Sequence, residues 1–270
     1  MFDSGVGGLT VVGEVMRRFP NEQILYLADQ IHVPYGGRPL DEIKQFATGI
    51  STFLAGEGCR AIIMACNISS AVALSSVRKA LYPLPVYGMI EAAAQAATAG
   101  DKRIGVLATV GTVTSGAYTA QIQANRSDAQ VIEVPCPRFV PLVESGDLDS
   151  RETLDACREY LTPLALGEFH NIILGCTHYP YLIPSLRAVA RELFDGDVSF
   201  IDPAKELATA LPTNSPSSPA TLRLLTTGDS AAFRGQVPLF LPNVGAAIAS
   251  ASWDHGRVYL TSDVLAGSRG

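Results

Sequence analysis

The 270-residue sequence has few of the features that are typical of secreted and membrane-spanning proteins. Its five cysteines are an odd number and include no C-x-x-C pair, which argues against both a disulfide framework and a zinc ribbon. No apolar run is long enough to span a bilayer, and no basic segment followed by an apolar core opens the chain. We therefore expect a cytoplasmic protein with reduced thiols and no membrane partner.

Positive charge is scarce as well. Lys and Arg number 20 against 26 Asp and Glu, so the formal net charge is −6. A nucleic acid requires a basic surface, and we expect no such partner. The lysines stand at positions 44, 79, 102 and 205, which gives little support to the Schiff base that pyridoxal phosphate needs. We expect no cofactor.

Short apolar runs alternate with amphipathic segments, which is typical of an α/β fold with parallel sheets. The apolar runs predict strands at 24–28, 61–65, 86–90, 103–108, 131–134, 170–174, 198–203, 222–226 and 258–260. The pattern restarts near residue 103, so we expect two similar parallel-sheet α/β domains with the active site in the cleft between them. A Ser- and Pro-rich linker is predicted at 213–220, and the segment 245–252 has no clear assignment.

Two cysteines directly follow predicted strands. The run 61–65 ends at Cys66, and the run 172–174 reaches Cys176 through Gly175. In open α/β sheets, ligands bind outside the carboxyl ends of the strands, where a following helix presents unpaired N–H groups. A helix N-terminus also favours the thiolate form of a cysteine, so both thiols are candidates for chemistry.

Four kinds of chemistry compete for this pair. A Cys–His hydrolase would use Cys176 with His178 and leave Cys66 unused. A metal site would need further ligands clustered beside the thiols, and a redox pair would need adjacent sulfurs. Proton transfer at one carbon from opposite faces would use both thiols, one as the base and the other as the acid. Asp3 and His178 are candidate partners, although a helix cap and a structural imidazole explain them equally well.

Five motifs resemble those of the glutamate racemase family, in order and at comparable spacing. They are DSGVGGLT at 3–10, PYG at 34–36, ACN at 65–67, VPLVE at 140–144 and GCTHYP at 175–180. The resemblance covers residues 1 to about 235. It implies a cofactor-independent homodimeric enzyme that interconverts L- and D-glutamate and supplies D-glutamate for peptidoglycan, and thereby for cell-wall biogenesis and cell shape. It also implies a second α/β domain, 92–202, inserted between 1–91 and 203–270 of the first.

The resemblance assigns roles to residues of this chain. Cys66 would remove the α-proton of D-glutamate with help from Asp3. Cys176 would remove that of L-glutamate with help from Glu144 and His178. The substrate-binding residues it implies are Asp3, Ser4, Tyr35, Gly36, Asn67, Ile68, Thr177 and His178. No metal ligand is among them.

Three features depart from the family pattern. Only Met1 and Phe2 precede Asp3, so we expect the family's first strand to be missing through a late start or a shortened chain. The alternative is a protein in which Asp3 is poorly anchored. Position 68 is usually Thr, and losing a hydrogen bond to a charged ligand costs roughly 1.5–3 kcal/mol, with Ser69 as a candidate replacement. The loop 30–32 is bulkier than the family prefers.

These departures leave two alternatives open. One is an aspartate or hydantoin racemase of the same superfamily, because a change at position 68 would alter substrate choice. The other is a catalytically impaired relative that binds a ligand, because a poorly anchored Asp3 would weaken the first half of the site.

Overall fold

The computed structural model describes residues 1–213 and 219–261, which form two compact units. Unit 1 comprises Met1–Gly88 and the described chain from Leu211 onward, and unit 2 is Met89–Ala210. Both have the α/β architecture with parallel strands that the alternation predicted. The domain limits expected after residues 91 and 202 stay predictions. None of the helices in the described part of the chain has the length and hydropathy that a bilayer crossing requires.

The strands are short, and most are separated by helices. They are β1 Phe2–Asp3, β2 Gln23–Ala28, β3 Ile62–Met64, β4 Val86–Gly88, β5 Arg103–Ala108, β6 Gln130–Pro135, β7 Asn171–Gly175, β8 Ser199–Ile201, β9 Thr221–Thr226, β10 Ala247–Asp254 and β11 Arg257–Leu260. The helices are α1 Leu9–Arg18, α2 Leu40–Gly56, α3 Asn67–Leu81, α4 Met89–Thr98, α5 Val110–Ser115, α6 Ala117–Asn125, α7 Phe139–Glu144, α8 Arg151–Leu166, α9 Ile183–Leu193, α10 Pro203–Ala210 and α11 Ser230–Phe240.

Unit 1 is built on a sheet with the strand order β11-β10-β9-β2-β1-β3-β4. All its pairings are parallel except the β10–β11 hairpin. Helix α2 contributes Ile50 and Leu54 to the hydrophobic core that packs against the sheet, and α3 contributes Val77. Because the neighbouring strands run parallel, the segments that follow β1, β2 and β3 leave the sheet at the same edge.

Strand β1 lies in the middle of this sheet. Phe2 is in register with Leu27 on one side and Met64 on the other, and Asp3 is in register with Ala28. Phe2 is fully buried, and Asp3 is 1% exposed. The expectation that Asp3 would be poorly anchored is therefore wrong, because these two residues pair as a short strand and fix the carboxylate. The expected late start or shortened chain stays a prediction.

A glycine-rich turn joins β1 to α1. The Tyr26 hydroxyl donates a hydrogen bond to the Gly5 carbonyl oxygen at 2.5 Å, which holds the turn against β2. A Cβ added at Gly8 would lie 2.4 Å from Cβ of Asp3 and 2.6 Å from Oη of Tyr26. Only glycine fits at position 8, because the turn packs directly on both side chains.

Unit 2 has a parallel sheet with the order β6-β5-β7-β8. Strand β7, which leads to Cys176, pairs with β5 through Gly175, the partner of Ala108. A Cβ at Gly175 would lie 3.0 Å from Cβ of Ala108 and 3.0 Å from Cε2 of Tyr118. The glycine before the thiol thus allows β7 to approach its neighbours closely.

The segment without a clear assignment, 245–252, contributes most of β10. This strand runs parallel to β9 and pairs with β11 in a hairpin. Its inward-facing side chains, Ala249 and Ala251, are small, so the hydrophobic alternation that marks a strand is weak here. Of the predicted linker 213–220, residues 214–218 lie outside the described residues.

The Gly8 contacts predict that Gly8→Ala lowers the free energy of unfolding by about 1–3 kcal/mol, because the new methyl group overpacks Asp3 and Tyr26. The matched control is Gly235→Ala in α11, where nothing lies within 4 Å of the added Cβ. We expect this change to stabilise by about 0.5–1 kcal/mol through helix propensity. Urea unfolding followed by circular dichroism measures both, and equal shifts for the two variants would contradict the packing argument.

Candidate active site

Cys66 lies at the junction between β3 and α3. It is the N-cap residue of α3, with an extended backbone (φ −70°, ψ 123°), and its carbonyl oxygen accepts a hydrogen bond from the Ser70 N–H at 2.9 Å. The residue is 6% exposed. The first backbone N–H groups of a helix and the positive end of its dipole stabilise negative charge at this place. The prediction of a helix directly after this cysteine is confirmed.

An apolar cluster surrounds Cys66 in unit 1. Its buried members are Tyr35, Ile43, Cys66 and Ile68, and Ile68 is 3% exposed. The side chain at position 68 therefore packs in the same buried cluster as the thiol. Ser69, the candidate replacement for the missing hydroxyl, is fully buried, and its Oγ has no hydrogen-bond partner among the described residues.

The Asp3 carboxylate is fixed by the glycine-rich turn. Its Oδ2 accepts hydrogen bonds from the N–H groups of Gly5 at 3.3 Å and Gly8 at 3.0 Å. The turn thus holds one oxygen of the carboxylate, as the helix-cap interpretation required. Asp3 and Cys66 both lie close enough to Tyr35 for their ionised forms to raise the pKa of its hydroxyl. The structure therefore brings Asp3, Tyr35 and Cys66 into one neighbourhood of unit 1.

Tyr35 is buried, and its hydroxyl is committed to another residue. The hydroxyl donates a hydrogen bond to Oδ2 of Asp29 at 2.5 Å, and the residue is 1% exposed. Burial raises the pKa of Tyr35 well above its ordinary value, and the neighbouring negative charge of Asp29 raises it further. The Tyr35 hydroxyl is thus engaged by Asp29, and the neighbouring Gly36 is half-buried.

Cys176 follows β7 in unit 2 and belongs to a chain of three polar side chains. Its Sγ lies 3.7 Å from Nδ1 of His178, and Nε2 of His178 lies 3.2 Å from Oε1 of Glu144. Cys176 is 8% exposed and His178 is 4% exposed. An Nε2–H that donates to Glu144 leaves Nδ1 as an acceptor for the thiol proton. The thiol, imidazole and carboxylate therefore form a path along which a proton can move.

The local structure after Cys176 differs from that after Cys66. A 3₁₀ turn spans Tyr179–Leu182, and α9 begins only at Ile183. The expectation of an α-helix directly after both cysteines is therefore wrong for Cys176. Pro180 lies in the turn and Pro184 in the first turn of α9; proline has no N–H to donate, so it favours the start of a helix over its interior.

The remaining cysteines are unsuited to ionise. Burial raises the pKa of Cys136 well above its usual range, raises that of Cys157 to about 12, and raises that of the half-buried Cys59. All five cysteines lie in the described part of the chain, and none forms a disulfide. Among residues 1–213 and 219–261, no group of three or more His, Cys, Asp and Glu is arranged to hold a metal ion.

The predicted site residues fall into two groups, each at the carboxyl edge of its own sheet. Unit 1 carries Asp3, Ser4, Tyr35, Gly36, Cys66, Asn67 and Ile68. Unit 2 carries Glu144, Cys176, Thr177 and His178. Sequence reasoning did not single out one buried charge beside the first group, Asp29, which directly follows β2. The signal that could have found it is the one that found Asp3, a carboxylate directly after an apolar strand.

Comparison with known proteins gives a consistent result. The family model for Asp/Glu/hydantoin racemases matches residues 11–211. A glutamate racemase of Gloeobacter violaceus is 46% identical over 216 residues, which are 78% of this chain and 80% of that protein. A glutamate racemase of Microcystis aeruginosa is 40% identical over 240 residues, or 86% of this chain and 83% of that protein.

Solved structures agree in fold. The crystal structure of a glutamate racemase from Bacillus anthracis superposes with a TM-score of 0.86 at 31% identity, covering 95% of this chain and 97% of that one. A glutamate racemase from Francisella tularensis in complex with D-glutamate gives a TM-score of 0.83 at 29% identity, covering 94% and 95% of the two chains.

The thiol environments predict the order of alkylation. In native protein at pH 8 we expect iodoacetamide to modify Cys66 and Cys176 before Cys157 and Cys136. A thiol whose pKa is near 12 is ionised in only about one molecule in 10,000 at that pH. Peptide mass spectrometry measures each site, and labelling in urea is the control in which all five react alike. Native labelling of Cys157 at the rate of Cys176 would contradict the assignment.

Proposed function

The chain belongs to the Asp/Glu/hydantoin racemase family, and on this premise we propose that it interconverts L- and D-glutamate with two cysteines as acid and base. It is an amino-acid racemase, an isomerase. The observation that carries the mechanism is the path from Cys176 through His178 to Glu144, together with a second strand-end cysteine at the N-terminus of α3. The hydrolase reading of Cys176 and His178 leaves Cys66 without a role.

In the proposed reaction, a thiolate removes the α-proton of glutamate from one face, and a thiol returns a proton to the other face. The electron pair of the broken C–H bond moves into the adjacent carboxylate and returns to Cα when the new C–H bond forms. Cys66 is the base for D-glutamate and Cys176 the base for L-glutamate. Each turnover leaves the two sulfurs with exchanged protonation states, and proton exchange with water restores them.

The two thiols are assisted by different means. His178 accepts the proton of Cys176 through Nδ1 and returns it, while Glu144 orients the imidazole and stabilises its charged form. Two positions after Cys66 stands Ile68, where His178 follows Cys176. Its thiolate is stabilised by the N-terminus of α3, and its proton is exchanged with the help of Asp3, which the glycine-rich turn holds in place.

Substrate recognition in this proposal relies on small groups at the two sheet edges. The substrate's carboxylates and ammonium are bound by Asp3, Ser4, Gly36, Asn67, Thr177 and His178, with Tyr35 and Ile68 contributing backbone groups. The burial of Tyr35 and Ile68 supports this division, because their side chains pack into the unit 1 cluster. Asn67 and Ile68 are the first residues of α3, where backbone N–H groups suit an anion.

Glutamate is the substrate best supported. The relatives reported above are glutamate racemases, and the Francisella protein was solved with D-glutamate bound. An aspartate or hydantoin racemase has only the breadth of the family in its favour. A catalytically impaired ligand-binding protein has less support, because Asp3 is anchored in the sheet.

The cellular setting is part of the same proposal. A homodimer in the cytoplasm supplies D-glutamate for peptidoglycan, as the family resemblance implies.

The two-thiol mechanism predicts that L- and D-glutamate both racemise in heavy water and gain deuterium at Cα. Cys66→Ser and Cys176→Ser should each reduce racemisation by about 10²–10⁴-fold, because a hydroxyl is a far weaker acid than a thiol. Circular dichroism follows racemisation, and mass spectrometry follows deuterium.

The matched control is Cys59→Ser, which changes a cysteine outside the two groups and should keep wild-type activity. If neither isomer racemises or gains deuterium at Cα, the proposal is refuted. Parallel assays with aspartate and hydantoins identify the alternative substrates.

The proton path predicts that Glu144→Gln changes the isotope effects of the two directions in opposite senses. Because the equilibrium constant is one, kcat/KM must fall equally in both directions, by about 10²-fold. With Cys176 impaired, the isotope effect with α-deuterated L-glutamate should grow, since Cys176 breaks that bond. The isotope effect with α-deuterated D-glutamate should shrink, since Cys176 only reprotonates. Unchanged isotope effects in both directions would remove Glu144 from the path to Cys176.

A further inference from the structure

The Asp29 carboxylate is fully buried in unit 1 and is surrounded by four side-chain donors. Its Oδ1 accepts hydrogen bonds from Thr227 Oγ1 at 2.9 Å and Trp253 Nε1 at 2.7 Å. Its Oδ2 accepts one from Tyr35 Oη at 2.5 Å and lies 2.8 Å from Nδ1 of His32. A buried carboxylate is stable only when its oxygens are satisfied in this way, so every donor contributes to holding the others in place.

The donors come from two distant parts of the sequence. His32 and Tyr35 belong to the loop 29–38 between β2 and α2, which also carries Gly36. Thr227 follows β9, and Trp253 lies near the end of β10. Asp29 therefore ties the loop that carries the proposed substrate-binding residues to the C-terminal strands of the sheet.

Trp253 is itself held tightly on the side away from Asp29. A Cβ added at Gly49 of α2 would lie 2.9 Å from the Trp253 ring, so the indole rests directly on the helix backbone. Its ring meets His32 edge-on with centroids 5.3 Å apart and Phe46 with centroids 5.7 Å apart. The imidazole of His32 is stacked on Phe46 at 3.9 Å. The indole is thus a fixed donor against which Asp29 is placed.

The loop residues that depart from the family pattern take part in the same connection. Thr226 Oγ1 donates to Oε1 of Gln30 at 2.7 Å, and Nε2 of Gln30 donates to Oε1 of Gln236 at 3.0 Å. The Ile31 N–H donates to Thr227 Oγ1 at 3.1 Å. The bulk of the segment 30–32 is used to join the loop to β9 and α11.

We propose that Trp253 is a positioning residue for racemisation, acting through Asp29 on the loop that presents Tyr35 and Gly36 to the substrate. Loss of its N–H leaves Oδ1 of the buried Asp29 short of one donor, so that the carboxylate shifts or binds water in its place. The loop then samples more conformations, and the substrate must order it on binding. The proposal rests on the proposed function, because the loop matters to catalysis only where it binds glutamate.

The test compares Trp253→Phe with Thr227→Val and with the control Tyr259→Phe. Trp253→Phe keeps an aromatic ring and removes the N–H, while Thr227→Val removes the other donor to Oδ1. Tyr259 lies on β11, in register with Ser252 beside Trp253, and is 45% exposed. We expect Trp253→Phe and Thr227→Val to raise KM for glutamate about 5- to 50-fold with kcat within about threefold of wild type. Tyr259→Phe should leave both unchanged.

Amide hydrogen exchange gives a second readout that does not depend on activity. In Trp253→Phe the backbone of residues 29–38 should exchange faster than in Tyr259→Phe, while the core strand β3 keeps its protection. Unchanged exchange in this loop, or a KM equal to that of Tyr259→Phe, would overturn the positioning role. If the wild-type enzyme does not racemise glutamate, the proposed function is refuted. The hydrogen-exchange comparison then still tests whether Trp253 holds the loop 29–38 in place. If Trp253→Phe does not fold, Thr227→Val decides by the same criteria.

Discussion

The pairing of Phe2 with both Leu27 and Met64 is the constraint on which the first half of the site depends. It places β1 between β2 and β3, so that Asp3, Asp29 and Cys66 all emerge from neighbouring strands at one edge of the sheet. Side chains far apart in sequence are thereby brought together by the pairing of the strands that precede them. The glycine at position 8 follows from the same arrangement, because the turn after β1 must return over Asp3 and Tyr26.

The two thiols reach similar chemistry through different local structures. Cys66 is placed at a helix N-terminus, where backbone dipoles stabilise charge, and an apolar cluster covers it. Cys176 precedes a 3₁₀ turn and has an imidazole and a carboxylate in line instead. A racemase with an equilibrium constant of one needs equal transition-state stabilisation in both directions, but it does not need two identical acid/base groups. The unequal surroundings of the two cysteines are compatible with that requirement.

Much of the fold was predictable because the signals are local. Strand β3 and helix α3 follow from an apolar run and the amphipathic segment after it, and Cys66 is found at their junction. Strand β10 was not predictable, since its buried alanines give almost no hydrophobic alternation. The helix expected after Cys176 is delayed by prolines whose effect depends on the local turn. The ties between Asp29 and Trp253 join residues 224 positions apart, and no local pattern encodes such a pair.

Trp253 has one further consequence, because it is the only tryptophan in the chain. The intrinsic indole emission of this protein arises from a single ring in unit 1, held between Gly49 and the Asp29 carboxylate. An unfolding curve followed by this emission records the loss of unit 1, whereas far-ultraviolet circular dichroism averages the helices of both units. The separation between the two curves therefore measures how independently the second unit unfolds.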